Sequence, residues 1–329
     1  MAEVEPLNEL DAALLGLQRE GRPWSVHFEV ELEDPIAPTA LVTGLAHVLR
    51  CHPRAGAALE RSGKTPRWRL GCFGGRDLLV ESDLPVDEVR RQLLDHRFRL
   101  ETEPPVRVAA LDGGRRLIVA MNHAVSDGLG GARLVHDLLV GTSSSDEGEV
   151  CAAVPPGLAK RLAPRHGLAT LASTAATARY VLAGGASTAA AVAEPTTVVA
   201  TSLEPELRQR LLTAPPSGLG VNDVLLAASH LALHEVIGDG RRVAVSVPVD
   251  LRRHIGSPPG LGNGIVSALT SSGRGATTDG PRLAATVGSS HPTRSWAGTV
   301  NALLHARCLA DGRRVGVEPL APGRRARGG

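Results

Sequence analysis

The chain has 329 residues, a length that suits two domains or one large domain. Its 36 basic and 34 acidic side chains leave a formal net charge of +2, and only 2% of its residues are aromatic. The balanced charge argues against a nucleic-acid-binding protein, and the scarcity of aromatic side chains argues against a surface that stacks nucleobases.

Periodicity predicts alternating helices and strands in the first half. Residues 7–19 carry apolar side chains at helical spacing, and residues 24–33 alternate strictly between apolar and polar side chains, as in a half-buried strand. Pro38 begins a predicted helix that ends near Cys51. The further predicted elements of this half are strands at 68–72 and 77–81, a helix at 85–95, a hairpin of strands 106–111 and 117–121, and a helix at 130–140.

A linker is predicted at residues 141–165, which contain three consecutive serines, mixed charges and a Pro-Pro pair. We place the domain boundary there. The predicted elements beyond it are an Ala-rich helix after 166, a strand at 196–203, helices at 204–212 and 221–237, and strands at 243–249 and 265–271. Periodicity fades after residue 272 and ends in a polar tail. Strands and helices in both halves predict an α+β (mixed α/β) fold.

Cysteine spacing and hydropathy indicate in which compartment of the cell we expect the protein. The four cysteines are Cys51, Cys72, Cys151 and Cys308. They form no CxxC pair, so we expect reduced thiols, no metal site and a cytoplasmic protein. The acidic, polar N-terminus is unlike a secretory signal. Residues 167–193 come nearest to a membrane segment, but Arg179 interrupts them, so we expect at most peripheral membrane contact.

The segment that carries chemistry is a predicted strand that runs directly into Asn122 and His123, followed by Asp127 and Gly128. A histidine at a strand end suits general-base work near neutral pH, and an aspartate can hold its ring in one orientation. The glycine is expected to allow a backbone conformation that a Cβ atom forbids. A histidine and an aspartate at this spacing also occur as a purely structural pair, and the spacing leaves both readings open.

This segment resembles the HHxxxDG signature of the condensation-domain superfamily, which has the chloramphenicol-acetyltransferase-like fold. The superfamily includes nonribosomal-peptide condensation domains, polyketide-associated acyltransferases and bacterial wax ester synthase/diacylglycerol acyltransferases. Further stretches that resemble the superfamily in order and spacing are Pro6–Asp11, His52–Gly56, Phe98–Val108, Asn222–Ala228, Val245–Arg252 and Gly262-Asn263. The similarity extends from about residue 5 to about residue 270.

The sequence departs from the superfamily pattern at three places. Asn122 stands where the signature has its first histidine, and Gly56 stands where an arginine often follows the His-Pro pair. An arginine partner for Asp127 must then come from elsewhere, and Arg252 is the candidate. The closing strands and helices of the superfamily are not recognisable after about residue 272.

The resemblance implies two chloramphenicol-acetyltransferase-like lobes, at 1–140 and 166–329, with the second lobe incomplete relative to the superfamily. It implies acyl transfer from a thioester to a hydroxyl or amine, with His123 as base, Asp127 orienting it and Gly128 shaping the turn. The supporting residues that it implies are Asn122, Arg252, Asn222, Asp223 and Asn263.

The expected donor is acyl-CoA or a phosphopantetheine-linked acyl group, with an acyl-carrier protein as partner and neither a tightly bound cofactor nor a metal. A wax ester synthase/diacylglycerol acyltransferase-like enzyme is the leading interpretation. A nonribosomal-peptide-type condensation domain is one alternative. A non-catalytic member that only binds a carrier or partner protein is another, because a fold alone does not establish chemistry.

Overall fold

A computed structural model describes residues 3–18, 24–61, 65–143, 150–158, 202–213, 220–237, 243–256 and 260–272. The predicted Ala-rich helix, most of the predicted strand 196–203 and the predicted polar tail lie outside these residues. The division into two domains with a linker at 141–165 stays a prediction.

The described elements alternate along the chain. The strands are β1 (Val4–Pro6), β2 (Ser25–Glu31), β3 (Ala58–Glu60), β4 (Arg67–Arg69), β5 (Leu79–Val80), β6 (Val106–Leu111), β7 (Arg116–Asn122), β8 (Val243–Asp250) and β9 (Ile265–Ser272). The α-helices are α1 (Glu9–Gln18), α2 (Pro38–Cys51), α3 (Gly75–Leu78), α4 (Val86–Leu94), α5 (Gly128–Ser143), α6 (Pro205–Thr213), α7 (Val221–Ile237) and α8 (Arg252–Ile255). Short 3-10 turns cover Pro53–Gly56 and Asp112–Gly114.

The central sheet has the strand order β2-β7-β6-β5. β7 pairs antiparallel with β2 and β6, and β5 pairs parallel with β6. The predicted hairpin is confirmed as β6 and β7. β2 is an edge strand that packs Val26, Phe28 and Val30 against the core, which accounts for its strict alternation. Its register places Ser25 opposite Asn122, so the edge strand follows β7 to its last residue.

Helices cover both faces of this sheet. α2 and α5 lie on one face, where Leu45 and Leu134 are completely buried against Val119. α4 lies on the other face, where Val89 packs against Ile118. The apolar side chains of α2 recur at helical spacing, so its amphipathic pattern alone is sufficient to direct it onto the sheet. The resulting three layers hold β7, and therefore its C-terminal end, in a rigid frame.

Two predicted strands differ from the structure. Within 77–81, predicted as a strand, the short helix α3 precedes the two-residue strand β5. The Asp77 carboxylate accepts a hydrogen bond from the Gly74 N–H at 2.7 Å, which stabilises a helical turn that apolar alternation does not reveal. The strand predicted at 68–72 is the shorter β4, the middle strand of a small antiparallel sheet in the order β1-β4-β3.

The second half is described through a helix and a hairpin. α7 begins and ends at the predicted residues, and β8 pairs antiparallel with β9 over eight residues each. Their apolar cluster is small, with Leu226 and Ala227 packed near Val245. Parallel and antiparallel pairs and packed helices make the described chain mixed α/β, as predicted. Within the described ranges, no helix combines the length and hydropathy that crossing a membrane requires.

Candidate active site

The end of β7 holds His123 between main-chain contacts. The Asn122 N–H donates to the Pro105 carbonyl and the His123 N–H donates to the Trp24 carbonyl, both at 2.9 Å. The side chain of His123 is half-buried, and its ring centroid lies 6.3 Å from that of Trp24, which is itself exposed. The main chain of His123 is therefore fixed, and its side chain remains partly accessible.

Asn122, where the signature has its first histidine, makes structural contacts. Its Oδ1 accepts a hydrogen bond from the Gln18 side-chain amide at 2.8 Å, and its Nδ2 donates back to Gln18 Oε1 at 3.2 Å. The same Oδ1 accepts the Ala124 N–H at 2.9 Å. This paired amide joins the end of α1 to the turn after β7, so Asn122 positions the segment that carries His123.

Asn263, from the second half of the chain, determines which imidazole nitrogen carries the proton. Its Nδ2 donates to Asp11 Oδ1 at 2.7 Å and to the His123 carbonyl at 2.9 Å, and both acceptors require an N–H donor. The amide oxygen Oδ1 therefore faces His123 Nδ1, at 3.2 Å, and accepts a hydrogen bond from the Nδ1–H group. His123 Nε2 is left with a lone pair, and it makes no hydrogen bond within the part of the chain that the structure describes.

A fully buried ion pair holds Asn263 in that orientation. Asp11 Oδ2 accepts from the Arg54 guanidinium at 2.9 Å, and Asp11 Oδ1 also accepts the Asn263 N–H at 3.0 Å. Burial raises the pKa of the Asp11 carboxyl, whereas Arg54 and the Asn263 donors lower it. Arg54 also pairs with Glu5, and the Asn8 side-chain amide donates to the Asn263 carbonyl at 3.0 Å.

Sequence reasoning missed the site roles of Asp11 and Arg54. Both lie in stretches that resemble the superfamily, Pro6–Asp11 and His52–Gly56, and that resemblance was the available signal. Gly56, where an arginine was expected, has no room for a side chain, because a Cβ atom there would lie 2.6 Å from the Phe73 carbonyl oxygen.

Asp127 lies in a second buried ion pair. The two guanidinium nitrogens of Arg252 donate to Asp127 Oδ2 at 2.9 Å and to Oδ1 at 3.0 Å. The Leu129 and Gly130 N–H groups donate to Oδ1, so Asp127 caps the start of α5, and the Gly264 N–H donates to Oδ2 at 2.7 Å. The structure thus brings together Asp127 and the arginine that the sequence analysis named for it. Within the described residues no hydrogen bond joins Asp127 to the His123 ring, which bonds to Asn263 instead, so the expectation that Asp127 itself orients the ring is not met.

The loop 260–264 completes the site by main-chain contacts. Its Gly262 N–H donates to the Val125 carbonyl at 2.9 Å, and its Gly262 carbonyl accepts from Arg252 at 2.9 Å. The φ angle of Gly262 is 104°, and a Cβ atom there would lie 2.8 Å from the Arg54 guanidinium. Glycine is therefore required at this position by both backbone conformation and space.

Comparisons with known proteins identify the fold. No protein-family model matches the sequence, and no curated protein sequence matches it significantly. Solved structures do match it. Polyketide synthase associated protein 5 from Mycobacterium tuberculosis superposes with a TM-score of 0.61 at 17% identity, covering 91% of this chain and 76% of that protein.

The first condensation domain of the calcium-dependent antibiotic synthetase, in complex with a substrate analogue, superposes with a TM-score of 0.68 at 18% identity, covering 93% of this chain and 76% of that one. The chain has the condensation-domain fold. The epimerization domain from the third module of tyrocidine synthetase B also superposes, with a TM-score of 0.67 at 16% identity and coverage of 93% and 77%. Proteins with different names share this fold, so the fold by itself does not identify the reaction.

One local expectation about the condensation-domain signature is wrong. Gly128 does not adopt a positive φ angle, and a Cβ atom added to it would meet no atom of the described residues within 4 Å. It is the first residue of α5, where the Asp127 cap already provides the turn, so no special backbone conformation is needed. Gly128 instead leaves open space in the turn that carries His123.

Asn222 and Asp223 lie at the start of α7. Asp223 is buried and accepts a hydrogen bond from the Gly220 N–H at 2.9 Å, which caps its own helix. Asn222 is exposed. The supporting role that the resemblance implies for these two residues stays a prediction, whereas Asn263 and Arg252 contact the residues of the signature directly.

Proposed function

We propose that this protein transfers an acyl group from a thioester to a hydroxyl or amine acceptor, with His123 as the general base. The single observation that carries the proposal is the hydrogen bond between His123 Nδ1 and Asn263 Oδ1. It supports a proton on Nδ1, so that the lone pair of the neutral ring is on Nε2, which makes no hydrogen bond to the described residues. A general base needs that lone pair within hydrogen-bond reach of the acceptor's proton.

The proposed reaction balances without a further reagent. His123 Nε2 takes the proton of the acceptor hydroxyl or amine while the acceptor oxygen or nitrogen attacks the thioester carbonyl carbon. The tetrahedral intermediate collapses, the carbon–sulfur bond breaks, and the leaving thiolate takes the proton from Nε2. Asn263 keeps the Nδ1 proton in place throughout, and Asp11 keeps Asn263 from rotating. Asp127 and Arg252 are positioning residues, because they hold the turn and the loop together.

The donor in this proposal is acyl-CoA or an acyl group on a carrier-protein pantetheine. The helix that begins with Asn222 and Asp223 resembles the corresponding helix of the wax ester synthase/diacylglycerol acyltransferase branch. This resemblance favours a hydroxyl acceptor. The similarity to a condensation domain of the calcium-dependent antibiotic synthetase supports the alternative of carrier-bound acyl groups and an amine acceptor. An assay that offers both acceptors with each donor separates the two branches.

The test measures thiol release from acyl-CoA and from acyl-pantetheine carrier protein, with long-chain alcohols and carrier-bound amines as acceptors. We expect His123→Ala to lower turnover by about 10²- to 10⁴-fold, the usual contribution of a general base. Asn263→Ala is expected to lower kcat and to alter its pH profile, because the ring is no longer held in one tautomer. His27→Ala is the matched control, since that half-buried histidine lies within β2 and bonds to Ser25.

Equal turnover in the wild type and in His123→Ala would contradict the assignment of the base. A wild type that retains acyl-carrier protein in a pull-down but releases no thiol with any donor would instead identify a binding protein without catalysis.

A further inference from the structure

A second cluster of reactive side chains lies apart from the residues that contact His123. His52 follows α2, Asp137 lies on α5, and Cys151 lies in the segment 150–158. One ligand atom from each of the three lies within 4.8 Å of the other two. His52 Nε2 is 2.8 Å from Asp137 Oδ2, and the His52 side chain is completely buried.

Helix packing and one main-chain contact bring the three residues together. α2 and α5 are neighbours on one face of the sheet, which places the end of α2 beside Asp137. The Cys151 N–H donates to the Cys51 carbonyl at 2.7 Å and holds the segment 150–158 against the end of α2. Because each ligand comes from a different segment, no short spacing motif marks the cluster in the sequence.

We propose that His52, Asp137 and Cys151 bind a divalent metal ion of the zinc class. Imidazole nitrogen, carboxylate oxygen and thiolate sulfur are the three ligand types that zinc takes in proteins, and three protein ligands leave a fourth position for water. The sequence analysis expected no metal because the cysteines lack close spacing and because the superfamily resemblance implies none. The proposal is independent of the proposed acyl transfer.

The protonation states of the cluster suit metal binding. The neutral imidazole of His52 is the form that coordinates a metal, and its Nε2 already lies 2.8 Å from Asp137 Oδ2. On binding, the Cys151 thiol releases one proton to solvent, and the proton of His52 moves from Nε2 to Nδ1 so that Nε2 can coordinate. No electrons are transferred.

Arg133 both competes with the metal and supports it. Its Nε donates to Asp137 Oδ1 at 2.9 Å and to Oδ2 at 2.8 Å. The Arg133 side chain is 40% exposed, so it has room to move. It can break its hydrogen bond to Asp137 Oδ2 and keep the one to Oδ1, which would orient the carboxylate. His136 Nδ1 also contacts Oδ1 at 3.0 Å. The metal therefore exchanges one ion pair on Oδ2 for a coordinate bond.

The position of this site gives the ion a structural role. The Val154 N–H donates to the Leu261 carbonyl at 3.0 Å, next to the loop residue Gly262. The Val154 carbonyl accepts from the Asn8 side chain at 3.4 Å. A metal at Cys151 would fix the beginning of the segment whose residue Val154, three positions further on, contacts Leu261 of the loop 260–264.

The test uses the full chain after dialysis against a chelator, titrated with Zn²⁺ in competition with a chromophoric chelator and with Co²⁺ for its thiolate charge-transfer band. We expect one tight equivalent of Zn²⁺ in the wild type. Cys151→Ser is expected to weaken binding by at least about tenfold and to remove the cobalt–thiolate band. Cys72→Ser is the matched control, because that thiol contacts Arg69 and lies in a different part of the first lobe.

Arg133→Gln is a second variant with the opposite expectation. Removing the guanidinium takes a positive charge away from Asp137, so Zn²⁺ binds more tightly than in the wild type. Asp137→Asn removes the carboxylate charge and should weaken Zn²⁺ binding, so equal binding in that variant would contradict Asp137 as a ligand. The absence of tight Zn²⁺ binding in the wild type, equal binding in Cys151→Ser, or a Cys51–Cys151 disulfide in the purified protein that binds no metal would overturn the proposal.

Discussion

The four-stranded sheet and the junction, which is the contact of Asp11, Asp127 and Arg252 with the loop 260–264, are held together by different kinds of contact. In the sheet, side chains such as Leu45 and Leu134 are completely buried among other apolar groups. At the junction, Asp127 pairs with Arg252 and Asp11 binds Asn263, all of them buried. Apolar burial stabilises the folded chain but does not fix the orientation of a side chain, whereas a hydrogen bond depends on the direction of its donor and therefore does. The sheet thus supplies stability, and the junction supplies the orientation of one imidazole.

Arg252→Leu is expected to have the largest effect, because it breaks the junction and leaves the Asp127 carboxylate buried without its charged partner. Removing one member of a buried pair costs about 3–5 kcal/mol of unfolding free energy. Urea denaturation followed by circular dichroism measures this loss. Arg252→Lys keeps the charge but cannot form the two-pronged contact, so it should lose less. An Arg252→Leu protein as stable as the wild type would refute the account of the junction.

Leu45→Ala tests the apolar packing of the sheet. The side chain is completely buried between α2 and the sheet, so its truncation should cost about 2–5 kcal/mol. Turnover per folded molecule should stay near the wild-type value, because the contacts of His123 do not involve Leu45. Denaturation and turnover are measured on the same preparation. A variant that stays folded but loses its turnover would show that the sheet also controls orientation.

Gly128→Ala tests whether the open space beside Gly128 matters for turnover and not for stability. The position is helical and a Cβ atom meets nothing within 4 Å, so stability should stay the same or rise by up to about 1 kcal/mol. Turnover should fall if acyl donor or acceptor occupies that open space. Thermal unfolding and thiol release are the two measurements. A marked loss of stability would instead show that the backbone at Gly128 needs glycine.

Glu29→Gln should have the smallest effect, at the edge of the sheet. Its contacts with Arg90, the larger cause, and with Arg116 lower the pKa of Glu29 to about 2. A lowered carboxyl pKa stabilises the fold above about pH 4.5, and that contribution disappears as the pH falls toward 2. The variant should lose up to about 1 kcal/mol at pH 7 and show a smaller loss on acidification. Unfolding curves at pH 7 and pH 3 provide the check, and identical pH dependence in both proteins would contradict it.

The elements that sequence periodicity predicted correctly are those whose pattern is local. α2 and α7 were predicted from apolar residues at helical spacing. The β6–β7 hairpin, whose second strand is buried on both faces, was predicted from its two apolar runs and the turn Asp112–Gly114 between them. The residues predicted as a strand at 77–81 are partly helical because a single side-chain cap at Asp77 outweighs the alternation. Short elements that depend on one hydrogen bond are not visible to a periodicity argument.

The sequence alone was sufficient to predict the mixed α/β fold and the strand that ends at Asn122, because these follow from spacing along the chain and from a resemblance carried by adjacent residues. It also named Arg252 as the partner of Asp127. It did not predict that Asn263, and not Asp127, bonds to the His123 ring. Tertiary structure decided which nitrogen of His123 makes no hydrogen bond to the described residues. That choice depends on Asn263 and on the Asp11 carboxylate that binds it, and these two residues are 252 positions apart in the chain. The gathering of His52, Asp137 and Cys151 likewise required folding. Directional contacts between distant residues leave no period in a sequence, so only the packed chain reveals them.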